Sequence, residues 1–413
     1  MKMKNKYMPT AVGLYINYIV HGMGVIIISQ NQNALMNQWN TDLMGIAKVI
    51  SMLGIGRLIA IMISGRLSDK FGRKPFVYLG MLTYIAYFFG ILFSPSVELA
   101  MFFAVIAGIS NSFLDSGTYP ALMESFPKTA GTANVLIKAF VQIGQFALPL
   151  MIKFLMSSGL WFGWSFIIAS VLLVLNSIYL WKRSFPDQDE KEATESTTEQ
   201  APTVTFKSKP KMAVEGVAFV IYGFISQATF YLISQFIGTY GEKAAGMAAA
   251  DAGVLVSYYS MGSLACVAFT AIVAAKVRPV YLVLVYTLVS FATILVMWMF
   301  PTPMVCTIGA ALVGFFAAGG VMQLGLTVMG EMFPTGKGTI TGIFYTFGSI
   351  ASFVIPVAAA QIAKSSVRNI MLFDTIIAGI GFVLAVVIFI RYRQTVDTGE
   401  TTESISESSK AVS

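Results

Sequence analysis

Twelve stretches of about 20 residues recur along this chain with scarcely a charge in them, and each is long enough to cross the hydrocarbon core of a bilayer as a helix. They run near 9–33, 42–64, 75–94, 98–124, 130–156, 160–182, 212–240, 250–275, 279–300, 303–332, 338–363 and 369–392. A backbone inside lipid must satisfy its own hydrogen bonds, so runs of this length predict helices and leave little else to fold into. The expectation is an all-α membrane protein of twelve transmembrane helices. Composition agrees. Only 11% of the 413 residues are charged, against about a quarter in soluble domains. Ten of the 20 acids fall in two short polar stretches, 187–199 and 397–407, which leaves ten for everything else. A soluble enzyme, a nucleic-acid binder and a disordered protein are therefore excluded, and no nucleic-acid partner is expected.

Between the sixth and seventh runs lies a polar segment rich in Glu, Ser, Thr and Lys, with Pro186, Pro202 and Pro210. Such composition reads as a flexible linker. The chain accordingly divides into a six-helix bundle over 1–184, a cytoplasmic linker over 185–211, a second six-helix bundle over 212–393 and a disordered cytoplasmic tail over 394–413. The basic start, Met1-Lys2-Met3-Lys4-Asn5-Lys6, has no small-residue cleavage site after its apolar run and reads as the flank of a retained first span. With both termini cytoplasmic, 20 of the 27 basic residues fall in inside segments, a strong positive-inside bias. The +7 net charge thus marks topology in a cell membrane, not a polyanionic partner. One histidine and two cysteines within apolar runs imply neither a metal centre nor a disulfide framework. No cofactor is expected.

The halves repeat at an offset of 207 positions, which aligns Glu124, Phe126, Pro127, Gly131 and Pro149 with Glu331, Phe333, Pro334, Gly338 and Pro356. Six helices separate the copies, so both have the same orientation. A parallel repeat of this kind in transporters places the substrate site between the halves near the midplane.

The loop expected after the second run reads Gly65-Arg66-Leu67-Ser68-Asp69-Lys70-Phe71-Gly72-Arg73-Lys74-Pro75. Gly65 and Gly72 suit a tight turn and close helix approach. Asp69 suits a helix N-cap and Arg73 a pairing with Glu124 at the end of the fourth span. With twelve spans, the repeat and the linker, this segment resembles the cytoplasmic signature of the major facilitator superfamily over about 390 residues. The resemblance implies that Gly65, Asp69, Gly72, Arg73 and Glu124 form a conformational latch on the cytoplasmic side. The corresponding second-half segment, Ala274-Ala275-Lys276-Val277-Arg278-Pro279, is degraded. The fifth-span stretch Gln142 to Leu150 lacks the glycine-proline pattern of the superfamily's drug/proton antiporters, which favours uptake by symport over efflux. The fourth span, Gly108 to Pro120 with Asp115 five residues before Pro120, is similar to the fucose-permease branch of sugar/proton symporters. That branch's first-helix acid has no counterpart; the polar residues nearest are Asn17 and His21.

Ionisable residues within spans are functional candidates by default. At 1.5 Å per residue, Arg57 and Lys138 lie about 12 Å from the cytoplasmic end, Asp115 about 15 Å and His21 about 18 Å. The resemblance places their four helices around the central cavity. Burial favours the neutral acid and a neighbouring cation favours the carboxylate, so Asp115 is the expected proton-coupling group, with His21. Arg57, Lys138, Asn17, Asn111, Gln142, Gln227, Tyr231, Gln323 and Tyr345 are the expected substrate contacts, Arg57 as a bidentate clamp. An Asp115–Lys138 pair that only holds helices together is the plain alternative. Lys48, Glu215 and Asp374 fall nearer helix ends and read as structural or snorkelling groups. Gly56-Ala60-Ser64 and Ala310-Gly314-Ala318 read as helix-packing faces. The expected function is proton-coupled symport of a small sugar, sugar acid or organic anion by a monomer, with proton-driven export as the alternative. A membrane enzyme lacks any metal or catalytic constellation here, and a sensor lacks a further folded domain.

Overall fold

The computed structural model describes residues 5–186, 206–208, 210–273, 277–333 and 337–396. Most of the linker and tail, and residues 274–276 of the second-half loop, lie outside them. The first bundle comprises α1 (Met8–Gln30), the short α2 (Gln32–Trp39), α3 (Leu43–Phe71), α4 (Arg73–Phe93), α5 (Val97–Ser125), α6 (Ala130–Ser157) and α7 (Trp164–Trp181). The second comprises α8 (Val217–Lys243), α9 (Ala249–Val273), α10 (Pro279–Met299), α11 (Pro303–Val313), α12 (Val321–Met332), α13 (Lys337–Ala363) and α14 (Arg368–Thr395). A π-helical turn, Gly314–Ala318, joins α11 to α12, so that Pro303–Met332 crosses as one span. Twelve helices among the described residues are long and apolar enough to cross a membrane. The architecture is the expected one: two six-helix bundles related by a parallel repeat.

One end of the bundles, the basic face, carries Arg66, Lys70, Arg73, Lys74, Lys182, Arg183, Arg391 and Arg393. The opposite end is the far face. Helix starts there are capped by side chains, as the residue types predict. Asp42 accepts from the amides of Met44 and Gly45 at 2.9 and 3.2 Å, and Thr302 accepts from Val305 at 3.3 Å. At the basic face the Gly65–Lys70 segment, expected as a loop, is helical. It extends α3 two turns beyond its apolar run, and the reversal falls on Gly72 alone at φ 91°. That left-handed conformation is open to glycine at little cost. Gly65 has no neighbour within 4 Å of a built Cβ, so the close helix approach expected there is absent.

The closest approaches lie deeper. A Cβ at Gly56 of α3 would stand 2.0 Å from the Val105 carbonyl oxygen, and one at Gly108 of α5 would stand 2.2 Å from that of Leu53. The two glycines seat one backbone against the other. The second bundle repeats the device with Gly262 of α9 and Gly314, whose Cβ atoms would stand 2.0 Å from the Ala311 oxygen and 1.9 Å from the Tyr259 oxygen. They lie 206 positions after Gly56 and Gly108, one short of the repeat's offset, where the second bundle repeats the α3–α5 crossing. Gly108→Ala is expected to lower the melting temperature of the purified protein by the equivalent of about 1–3 kcal/mol, the usual cost of overpacking. Gly65→Ala, in open space, should leave it unchanged.

Cross-bundle hydrogen bonds gather on the far side. Asn33 donates to Glu242 at 3.3 Å, Thr239 to Gln32 at 2.8 Å and Gln235 to the Val25 carbonyl at 3.1 Å. Ser257 donates to the Phe146 carbonyl at 2.8 Å, and Lys153 pairs with Asp251 at 2.7 Å. Gly54 of α3 abuts the backbone of Phe353 on α13 nearer the middle of the helices. The bundles are thus closed against each other at the far face.

Candidate functional site

The α3–α5 crossing fixes the centre of the molecule. Arg57 follows Gly56, and its carbonyl accepts from Ser112 of α5 at 3.2 Å. Locked at that height, the guanidinium reaches Asp115 one turn further along α5, Nη2 to Oδ2 at 3.2 Å. Tyr18 of α1 donates to Asp115 Oδ1 at 2.7 Å. The Asn111 amide, with its nitrogen turned to the carboxylate, lies 3.0 Å from Oδ2. Each carboxylate oxygen therefore has a donor, as a charge at this depth requires. The pair is not sealed: the side chains of Arg57 and Asp115 are 34% and 18% exposed. An ion pair kept partly open in the middle of a bundle is placed where a third party can reach it.

Around it stands a wall of phenols. Tyr119 meets Tyr18 edge-on at 6.2 Å between ring centres. Tyr231 of α8 and Tyr345 of α13 approach Arg57 from the second bundle closely enough to interact with it electrostatically. His21 packs against Tyr18 at 5.7 Å, and its Nδ1 bonds the Tyr84 hydroxyl at 2.5 Å. It is buried beside the pair without touching Asp115.

Lys138 stands apart. It does not pair with Asp115; its ammonium crosses between the bundles to Gln323 Oε1 on α12, at 2.8 Å. Tyr345 borders the same Gln323. Gln227 donates to Ser352 of α13 at 3.0 Å. Gln142 is buried, and its Oε1 has no hydrogen-bond partner. Asn17 is a correction: its side-chain oxygen accepts from Asn176 of α7 at 2.7 Å, in a fully buried seam between α1 and α7, and it is turned away from the central pair. Helical rise set its height correctly, but rotation about the axis carried it to the wrong side.

The basic-face cluster is built on Arg73, buried at the start of α4 with 7% exposure. Its guanidinium donates to Glu124 at 2.9 and 3.2 Å, to Asp69 at 2.7 Å and to the Ser68 hydroxyl at 3.1 Å. Asp69 does not cap α4. It belongs to the last turn of α3, and its carboxylate turns to Arg73 four residues on. Ser68, missed in the sequence, ties the cluster to α5 through the Ser116 carbonyl at 2.7 Å. In the second bundle Glu331, the repeat counterpart of Glu124, accepts from Tyr392 of α14 at 2.8 Å. Glu215 pairs with Arg391 at 2.5 Å, joining the start of the second bundle to its end.

Comparison with known proteins bears on the whole chain. The profile of the Major Facilitator Superfamily matches residues 14–356 and 246–411. The Inner membrane transport protein YdiM of Escherichia coli (strain K12) is 47% identical over 398 residues, 95% of this chain and 96% of that protein. The Uncharacterized MFS-type transporter YfkL of Bacillus subtilis (strain 168) is 42% identical, over 95% of this chain and 98% of that one. Among solved structures, a D-xylose-proton symporter superposes with a TM-score of 0.74 at 12% identity, covering 92% of this chain and 96% of the other. That likeness concerns the fold.

Proposed function

The chain belongs to the major facilitator superfamily and is a membrane transporter, not an enzyme; from that premise we propose that it carries a small hydroxylated organic anion together with a proton, by alternating access, as a monomer. The observation that supports this most is the partly open Arg57–Asp115 pair at the centre of the first bundle. Asp115 and a substrate carboxylate compete for one guanidinium. When Asp115 takes a proton, Arg57 loses its internal partner and is free to bind the incoming anion through its planar fork of donors. When the anion leaves, Asp115 gives up the proton and re-forms the pair. Loading of substrate and loading of proton are thereby linked through one cation.

Lys138 supports the anionic class. It contributes a second positive charge at the bundle interface and makes its bond to a neutral amide, not to a carboxylate. With Arg57 balanced by Asp115, the site keeps a surplus positive charge. The phenols of Tyr119, Tyr231 and Tyr345 and the amides of Asn111, Gln227 and Gln323 suit hydroxyl groups on the same substrate, while His21 and Tyr84 hold Tyr18 in place from behind. The distribution of basic residues supports a cytoplasmic basic face. The far-side contacts then close the outer entrance, and the central pair faces inward. The Arg73–Asp69–Glu124 cluster braces the ends of α3, α4 and α5 so that they move together.

Reconstituted protein in vesicles, tested with a panel of neutral sugars, sugar acids and hydroxy acids under a pH gradient, tests this directly. Accumulation of an acid, abolished by a protonophore, is the expected result; release stimulated by an inward proton gradient would assign export instead. Asp115→Asn should keep substrate exchange between loaded vesicles but lose gradient-driven accumulation. One pH unit supplies about a tenfold accumulation per coupled proton, and that factor is what the variant should forfeit. If Asp115→Asn accumulates substrate as well as the parent protein does, Asp115 is not the coupling group.

A further inference from the structure

Asp374 is the acid whose position in the structure departs most from its sequence reading. It lies on α14, about 9 Å by helical rise from the far end, and its side chain is neither at the surface nor paired. It is 0% exposed, and among the described residues neither carboxylate oxygen has a hydrogen-bond partner. The hydroxyl of Thr229 on α8 borders it and is itself buried without a partner. So is the hydroxyl of Ser290 on α10. Thr229, Ser290 and Ala378, one turn along α14 from Asp374, line one small internal cavity of the second bundle, with Tyr222, Ser226 and Thr287 beyond them.

Among the described residues no countercharge is built into this neighbourhood. α14 packs on α10, α8 and α13. Residues 217–241 of α8, the whole of α10 and residues 342–363 of α13 contain no acidic or basic residue. Their titratable groups are tyrosines. Tyr222 bonds Thr287, Tyr240 donates to the Met297 carbonyl and Tyr286 bonds Thr270. Tyr231 and Tyr345 face Arg57, and Tyr281 meets Phe389 edge-on. On α9, Tyr259 interacts with Asp374 electrostatically, and its hydroxyl donates to the Phe230 carbonyl. The basic residues toward the far end, Lys243, Lys364 and Arg368, are exposed at helix termini, and Arg368 is engaged with the carbonyls of Trp298 and Met299.

An isolated carboxylate in such surroundings costs several kcal/mol unless it is neutralised. A metal cation would need a shell of oxygen ligands, whereas the adjoining cavity is walled mostly by carbon. A proton needs one oxygen. We infer that Asp374 is a second proton-binding site, separate from Asp115 and located in the opposite bundle, which holds its proton while the far face is closed and releases it outward when that face opens. The step is a protonation alone: the O–H bond forms from water on the far side and returns to it, with no other bond changed. Opening separates α8 and α14 from their far-side partners and admits water to the carboxyl, which then ionises at little cost. The site is independent of the substrate, although its place in a transport cycle rests on the transporter reading above.

The test needs no substrate. Spin labels on Ser157→Cys and Ala248→Cys, exposed at the far ends of the two bundles, report far-face closure in reconstituted full-length protein, with Cys266→Ser and Cys306→Ser to remove the native thiols. In the Asp115→Asn background the closed-to-open ratio should fall with rising pH, by up to about tenfold per pH unit for one linked proton. Adding Asp374→Asn should abolish that dependence and hold the far face closed, whereas Asp374→Glu should restore a titration. Infrared difference spectra should show a protonated carboxyl band in the closed state that Asp374→Asn removes and Asp374→Glu shifts, a readout that also certifies folding. Equal titration of the Asp374→Asn protein and its parent, or a parent that does not titrate at all, overturns the proposal. Neither result touches the competition between Asp115 and substrate for Arg57, which the uptake assays measure.

Discussion

Arg57→Gln is expected to reduce substrate binding by about 100-fold or more, the largest effect of any single substitution in the central site. Truncating one partner of a buried, hydrogen-bonded charge pair costs about 2–5 kcal/mol, and each 1.4 kcal/mol is about tenfold in affinity. The lower part of that range applies because the Arg57 side chain is 34% exposed, so solvent screens part of the interaction. Two things are lost together: the cation that the proposed substrate carboxylate would bind and the cation that balances Asp115. The double variant Arg57→Gln/Asp115→Asn separates them. It should restore the melting temperature toward the parent value, because neither half of the pair is left charged and alone, yet it should not restore binding. Arg57→Lys keeps the charge without the planar fork and should fall between. Exchange between substrate-loaded vesicles, measured beside thermal melting, gives both numbers. Binding restored in the double variant would show that Arg57 serves only to neutralise Asp115.

The second large effect is expected at the basic face. Arg73→Ala removes a buried guanidinium that serves Glu124, Asp69 and Ser68 at once. Breaking a buried pair from one side costs about 3–5 kcal/mol. Asp69 is 65% exposed and Glu124 22% exposed, so water takes over part of the solvation and about 2–3 kcal/mol is the expected loss. Nearly all of it should trace to Glu124. Arg73→Ala/Glu124→Ala should therefore be more stable than Arg73→Ala alone, whereas Asp69→Ala should cost little in melting temperature. A double-mutant cycle read by thermal unfolding in detergent tests this, and a coupling near zero between Arg73 and Glu124 would refute it.

The route from sequence to structure was direct wherever the bilayer imposed the constraint. Apolar runs long enough to span are helices, and residues paired by the repeat fall at matching places, Glu124 and Glu331 in the last turns of α5 and α12, Pro149 within α6 and Pro356 within α13. Height along a span was also legible: Arg57 and Asp115 were placed at nearly one level and do meet. Rotation was not. Lys138 lies at that same level but faces across the interface to Gln323, and Asn17 turns to α7, because one residue shifts a side chain by about 100° around a helix. Tyr18, adjacent to Asn17, takes the place beside Asp115, and nothing in the local sequence distinguishes it from the other tyrosines among the 17. Asp374 was misread for a related reason. Distance from a helix end says how far a side chain must reach to find water, but not whether neighbouring helices stand in the way. The signature segment was taken for a loop because its charges are polar, although polar residues continue a helix readily once it has left the membrane.

The reciprocal glycines at Gly56 and Gly108, with Gly262 and Gly314 opposite, have a mechanical consequence. Where carbonyl oxygens sit directly on glycine Cα atoms there is no layer of side chains to slide or re-pack. Tilting α3 must therefore tilt α5 by the same angle, and α9 is bound to the π-helical turn beside α11 in the same way. Gly22 and Gly144 clasp α1 to α6 likewise. Each bundle thus behaves as a stiff arm hinged where the bundles touch. On the proposed alternating-access cycle, a small parting at the far face would be multiplied by the arm's length at the basic face, so that a short movement at the centre would close one mouth as the other opens.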